Sequence, residues 1–149
     1  MFRPQPIPAK AGQESVWDYP RPPRLELSPK HLKIIFNGVI IADTKSSYRV
    51  LETSHPPVYY LPPQDIKMEY LQATAEKSFC EWKGLAGYYN ITVGDQQAIK
   101  DYLAFYPAKM TACYADGELV QAQPGNFYGG WITSDVVGPF KGVPNSWGW

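Results

Sequence analysis

The stretch "HLKIIFNGVIIAD", His31 to Asp43, decides the fold class. Two apolar runs of β-branched and aromatic residues flank Asn37-Gly38. That dipeptide suits a two-residue turn in which both central residues take positive φ. The stretch therefore predicts a hairpin with strands near 31–36 and 39–43. A second hairpin follows the same rule in "KMTACYADGELVQAQ", Lys109 to Gln123, turning at Asp116-Gly117.

Working outward, "SSYRVLET" (46–53) alternates well enough to extend the first hairpin into a meander. "VYYLP" (58–62) resumes after "SHPP" as a short strand or an extended edge. Pro56, Pro57, Pro62 and Pro63 bracket it, which argues against a place in the middle of a long ladder. "QDIKMEYLQATAEKS" (64–78) is ambiguous, readable as a short strand followed by a loop or turn. "SFCEWKG" and "LAGYYNITV" read as two strands bent at Gly84. "DQQAIKDYLAFY" (95–106) is the best helix candidate, with Asp95 as N-cap and Ile99, Tyr102 and Leu103 at helical spacing. The tail "PGNFYGGWITSDVVGPFKGVPNSWGW" (124–149) is too apolar for a disordered segment.

Composition agrees with strands. Aromatics make up 15% of the 149 residues, and 15 prolines are spread widely, which disfavours long helices. The pattern shows no βαβ alternation and no tandem repeat. The reading is a mainly β, small single domain of antiparallel sheets, closed as a sandwich or a barrel-like form, with one or two short helices. Residues 1–13 read as a flexible N-terminal arm and 14–149 as the domain. Within it, "ESVWDYPRPPRLE" (14–26) reads as a proline-aromatic strap that can bury Trp17 and Tyr19, or as a P-x-x-P ligand for a protein partner through Pro20 and Pro23.

Fourteen basic and fourteen acidic residues give zero net charge, which speaks against a nucleic-acid partner. Two cysteines, Cys80 and Cys113, and two histidines, His31 and His55, are too few and too scattered for a closed zinc site, so no metal is expected. No apolar run reaches membrane length and the N-terminus lacks a secretory core, so the expectation is a cytoplasmic chain with no membrane partner. "NIT" at Asn90 then reads as an accidental sequon.

Three groups of residues carry candidate chemistry. Cys80, with His55 as base, is a candidate nucleophile, set against a small buried thiol beside Trp82. Strand alternation puts Cys80 and Trp82 on one face and Glu81 and Lys83 on the other. Glu52 shares a face with Tyr48 and Val50, and an interior carboxylate needs a partner. Lys83 is the natural one. Glu52, Tyr60, Cys80, Trp82 and Lys83 are accordingly the expected ligand-binding set, and Glu52, Lys83 and Cys80 the catalytic candidates. The ligand would be a small polar molecule or an aromatic ring. Tyr59, Tyr88 and Trp131 add ring surface, set against ordinary core packing, and Lys141 is a second cation at a glycine-flanked turn. The cofactor is unknown, and a protein partner or a second copy of the chain is the competing expectation.

The blocks "VWDYPRPPRLE", "YRVLETSHPPVYYLPPQDI", "CEWKGLAGYY", "AFYPAKMTACYADGELVQAQPG" and "FYGGWITSDVVGPFKG" together resemble the bacterial domain of unknown function 427 family, from about Glu14 to the C-terminus. The resemblance implies a small cytosolic, tent-like pair of antiparallel sheets without an established activity. Its nucleotidyltransferase label implies a third function. That chemistry needs paired carboxylates on metal ions, and Gly129-Gly130 is followed by Asp135 alone, then Val136 and Val137. The family pattern falls on Glu52, Pro57, Tyr60, Pro62 and Asp65, and on Cys80, Lys83 and Gly84. Glu81 stands where relatives place a proline, and the spacer around 96–102 is shorter.

Overall fold

The computed structural model describes residues 4–69, 86–87, 102–125 and 128–149. Thirteen strands lie in them: β1 (Glu14–Ser15), β2 (Arg24–Ser28), β3 (Leu32–Phe36), β4 (Val39–Thr44), β5 (Ser47–Leu51), β6 (Val58–Leu61), β7 (Ala86–Gly87), β8 (Leu103–Phe105), β9 (Ala112–Ala115), β10 (Glu118–Leu119), β11 (Gln121–Ala122), β12 (Trp131–Ile132) and β13 (Val136–Val137). They form a four-stranded sheet, β10-β9-β3-β4, and a five-stranded sheet, β2-β5-β6-β8-β7. Two small ribbons complete the set, antiparallel β11-β12 and parallel β1-β13. The architecture is a sandwich, mainly β. Helical structure among the described residues consists of single 3₁₀ turns at Val16–Asp18, Pro63–Asp65 and Pro107–Lys109 and of two α-helical residues, Met68 and Glu69, and no helix there is long and apolar enough to cross a membrane.

Both predicted hairpins form. Asn37 and Gly38 take φ of 50° and 79°, and Asp116 and Gly117 take 49° and 81°. This is the mirror-image turn whose twist matches the flanking strands. The two hairpins join through β3–β9, with Ile34 opposite Cys113. Period-two alternation then puts Leu32, Ile34, Cys113 and Ala115 inward. They meet Tyr59, Leu61, Leu103, Phe105 and Trp131 in the principal core.

Three expectations are corrected. Strand β5 does not extend the first hairpin. Its partners are β2 and β6, because β9 already occupies the free edge of β3 and Ile66 and Lys67 bond to β4 through Ala42 and Ile41. The two-residue link after Thr44 carries the chain to the other sheet. Strand β6 is interior, between β5 and β8. All four of its residues are buried, and the bracketing prolines fall outside the paired stretch, so no ladder donor is lost. The helix expected over 95–106 is overturned at its end, where Leu103–Phe105 is a strand paired with β6 and β7. These three residues are buried on both faces, and an uninterrupted apolar run of that kind suits a central strand. Residues 95–101 lie outside the described residues. So do the strands expected in 78–93, apart from Ala86–Gly87.

The strap packs on its own domain. Val16 and Tyr19 are buried with Leu51 and Val136. The Trp17 indole N–H donates to the Pro139 carbonyl at 2.9 Å, and its ring lies 5.7 Å from that of Trp149. The 52–55 turn is stitched on both sides: Ser54 N–H donates to Val16 O, and Lys141 N–H donates to Ser54 O.

Candidate functional site

The inner face of the five-stranded sheet changes character across its width. In register, Glu26 of β2 lies opposite Arg49 of β5, and Arg49 opposite Tyr59 of β6. These three side chains therefore form one cross-strand row. It runs from the half-exposed Glu26 through Arg49 to the buried Tyr59, whose ring packs 5.0 Å from Trp131 in the core. Above this row opens a cleft of about 350 Å³. Its walls include Glu14 of β1, Lys30 after β2, Asp116 of the β9–β10 turn and Asp135 before β13, with Tyr59 at the core end.

The charges in the cleft are organised. Arg49 grips Glu14 through two N–H···O bonds of 2.8 and 2.9 Å and Glu26 through two of 2.8 and 2.6 Å. Such forked, charge-assisted bonds are geometrically selective. The Tyr19 hydroxyl donates to Glu14 at 2.7 Å. Lys30 pairs with Asp135, which also accepts from the Thr133 hydroxyl. The His31 backbone N–H donates to Asp116 Oδ1 at 2.8 Å. The bond from Arg49 is the largest influence on Glu14 and holds its carboxyl below the usual value. Burial opposes ionisation of Asp135, but the bonds from Lys30 and Thr133 outweigh it and its pKa is also lowered. Burial raises the Tyr59 pKa, so the phenol stays protonated.

Acid sensitivity follows with a definite sign. A carboxylate whose folded pKa is depressed contributes stability above its unfolded pKa and loses that contribution as pH falls through the folded one. For Glu14 the loss begins as pH drops past its ordinary 4.5. Urea midpoints should hold from neutral pH to about 5 and then fall. Arg49→Gln should lower the midpoint at neutral pH and flatten the acid slope, leaving the share due to Asp135. An unchanged slope in that variant would refute the assignment.

Glu52 and Tyr60, from the expected ligand set, lie elsewhere. Strand β5 stops at Leu51, and Glu52 opens the following turn. Its carboxylate is 3.7 Å from Arg21 Nε and 4.0 Å from His55 Nδ1. His55 Nδ1 also lies 2.9 Å from Thr53 O, and its ring is 5.4 Å from that of Tyr128. Burial is the main cause that lowers the His55 pKa and favours the neutral imidazole. Tyr60 is buried on the opposite face of the sheet from Tyr59, with Val50, Val58 and Ala104. Cys80, Trp82, Lys83 and Tyr88 lie outside the described residues. Asp65 accepts from the buried Thr44 hydroxyl at 2.7 Å. Cys113 is buried and its thiol is pushed up to about 12, so it carries no thiolate near neutral pH.

The cleft residues Glu14, Glu26, Lys30, Arg49 and Asp116 were absent from the expected sites. One signal for part of them was present in the sequence: Glu26 lies between Leu25 and Leu27, and Arg49 between Tyr48 and Val50. No local pattern connects them with Lys30 or Asp135.

A family model described as a domain of unknown function (DUF427) matches residues 24–98. The matched span contains Glu26, Lys30, Arg49, Glu52, Tyr59 and Tyr60. No curated protein and no solved structure matches the chain.

Proposed function

From the premise that this chain belongs to the DUF427 family, whose description names no activity, we propose that it is a binding domain for a small polar ligand held in the Arg49–Tyr59 cleft. The observation that carries this reading is the cleft itself. Its volume lies within the range of small-molecule sites, and the buried Tyr59 closes its core end. The Arg49–Glu14–Glu26 and Lys30–Asp135 pairs hold the polar walls in place before a ligand arrives, which lowers the ordering cost of binding.

A second reading puts the ligand, polar or aromatic, beside Glu52 and Tyr60, with Cys80, Trp82 and Lys83 completing the site. The grouping of Glu52 with a largely buried neutral His55 and with Arg21 favours it, since a neutral imidazole beside a carboxylate suits proton transfer. Recognition of a protein partner by the strap has less support, because Tyr19 and Trp17 are engaged within the domain. Nucleotidyl transfer has less still, because Asp135 is already bound by Lys30 and Thr133.

A thermal-shift screen against a library of small polar metabolites separates the two sites. Ligand-dependent stabilisation should be lost in Tyr59→Phe and kept in Glu52→Gln. The reverse result would move the site to Glu52, and stabilisation kept in both variants would remove both readings.

A further inference from the structure

The charge and hydrogen-bond inventory of the cleft points to one class of ligand. Four carboxylates line it, Glu14, Glu26, Asp116 and Asp135, against two cations, Lys30 and Arg49. The balance is two negative charges in excess. The arginine donors are also largely committed. An arginine has five N–H groups, and Arg49 already makes four bonds to Glu14 and Glu26. Lys30 is held by Asp135 through one of its three N–H groups.

Acceptors are in surplus. A carboxylate has about four lone-pair sites. Among the described residues, Asp116 accepts only one bond, on Oδ1 from the His31 backbone. A second observation is independent of the acids. Tyr59 is 98% buried, with 2% of its surface exposed. Tyr59 lines this cleft, and its hydroxyl group makes no hydrogen bond among the described residues. A ligand N–H donor that reaches the core end of the cleft would bond its oxygen.

An anion entering the cleft would meet the excess negative charge. A bare metal ion is a poor fit too, since no three His, Cys, Asp or Glu side chains among the described residues group to hold one. We propose that the cleft selects a small organic cation that brings its own N–H donors, a primary amine or a guanidinium, with Asp116 and Tyr59 as its acceptors. This rests on the reading of the cleft as the ligand site.

The test uses the full ¹⁵N-labelled chain titrated with n-butylguanidinium, n-butylamine and, as the anion of matched length, n-butyrate. Amide shifts of Ser28, Lys30, Asp116 and Asp135 report on the cleft walls. Both cations should shift these amides saturably, and butyrate should not. Loss of one charge-assisted bond in Asp116→Asn should weaken cation binding by about tenfold or more, and Tyr59→Phe should weaken it as well. Butyrate binding at the same amides, without the cations, would overturn the cation selectivity while keeping the cleft as a ligand site. Cation shifts unchanged in both variants would mark diffuse surface attraction and overturn the inference. No shift with any of the three compounds would overturn it too, and the metabolite screen with Tyr59→Phe then decides the site itself.

Discussion

Trp131→Ala is expected to destabilise the domain by about 3–5 kcal/mol, the usual cost of truncating a fully buried aromatic. Trp131 has no exposed surface and is among the largest side chains in the principal core. Its ring packs against Tyr59 at 5.0 Å, so its loss leaves a cavity between the cleft floor and the core. The indole N–H also donates to the Phe105 carbonyl at 3.0 Å, and truncation leaves that buried acceptor of β8 without its donor. At roughly 2–4 °C per kcal/mol for a chain near this length, the melting temperature should fall on the order of 10 °C. Trp131→Phe keeps one aromatic ring but loses the donor and part of the indole volume, so its effect should be smaller. Trp147→Ala is the control, because that ring is 79% exposed. Equal melting temperatures for Trp131→Ala and Trp147→Ala would refute the core assignment.

Gly142→Ala should have the second-largest effect. Gly142 sits at φ +121°, where an L side chain is strained. A Cβ there would also press into the backbone of Pro124, 2.6 Å from its carbonyl carbon. Backbone cannot rotate away as a flexible side chain can. The strain alone costs on the order of 1–3 kcal/mol, and the overlap adds to it by pushing apart two segments that are bonded together. Gln123 Nε2 donates to Lys141 O at 2.8 Å, and Gly142 N donates to Ser146 Oγ at 2.7 Å. Gly117→Ala separates the two contributions. It carries φ +81° with nothing within 4 Å of a built Cβ, so it should cost about 1–2 kcal/mol from conformation alone. If urea midpoints showed Gly142→Ala no more destabilised than Gly117→Ala, the close approach to Pro124 would not matter energetically.

Both glycines lie in stretches whose sequence announced a turn, yet only one of the two consequences was legible. At Asp116-Gly117 the requirement is local, two positive φ values in a two-residue hairpin loop. At Gly142 the requirement comes from Pro124, which chain order does not bring near. The same division runs through the rest of the molecule. The alternation of Leu32, Ile34, Cys113 and Ala115 was readable because the strand period is fixed by backbone geometry. The partner of β5 was not readable, because chain order leaves both β2 and β4 as candidates, and Ile66 and Lys67 take up the β4 edge only in the folded chain. Leu103–Phe105 looked helical by spacing. Its pairing with β6 and burial on both faces overrode that local preference.

The candidate site divides in the same way. Glu26 and Arg49 were each visible as charged positions between apolar neighbours, and Tyr59 as part of an apolar run. Their alignment into one row needed the β2-β5-β6 register. Glu52 was visible as a carboxylate on an apolar face, but the strand ends one residue earlier, so its described neighbours are Arg21 and His55.

By itself, then, the sequence determined a mainly β chain, two hairpins with mirror-image turns, short strands between prolines, and a strap with rings to bury. All of these depend on interactions within a few residues, where φ/ψ limits and side-chain period leave few choices. Tertiary structure alone decided which sheet each strand joined and where the charged cleft opened. Lys30 and Asp135 are 105 positions apart, and Glu14 and Arg49 are 35 apart. Their pairing exists only after the strap, the five-stranded sheet and the tail have packed together, because no short-range preference favours one distant partner over another.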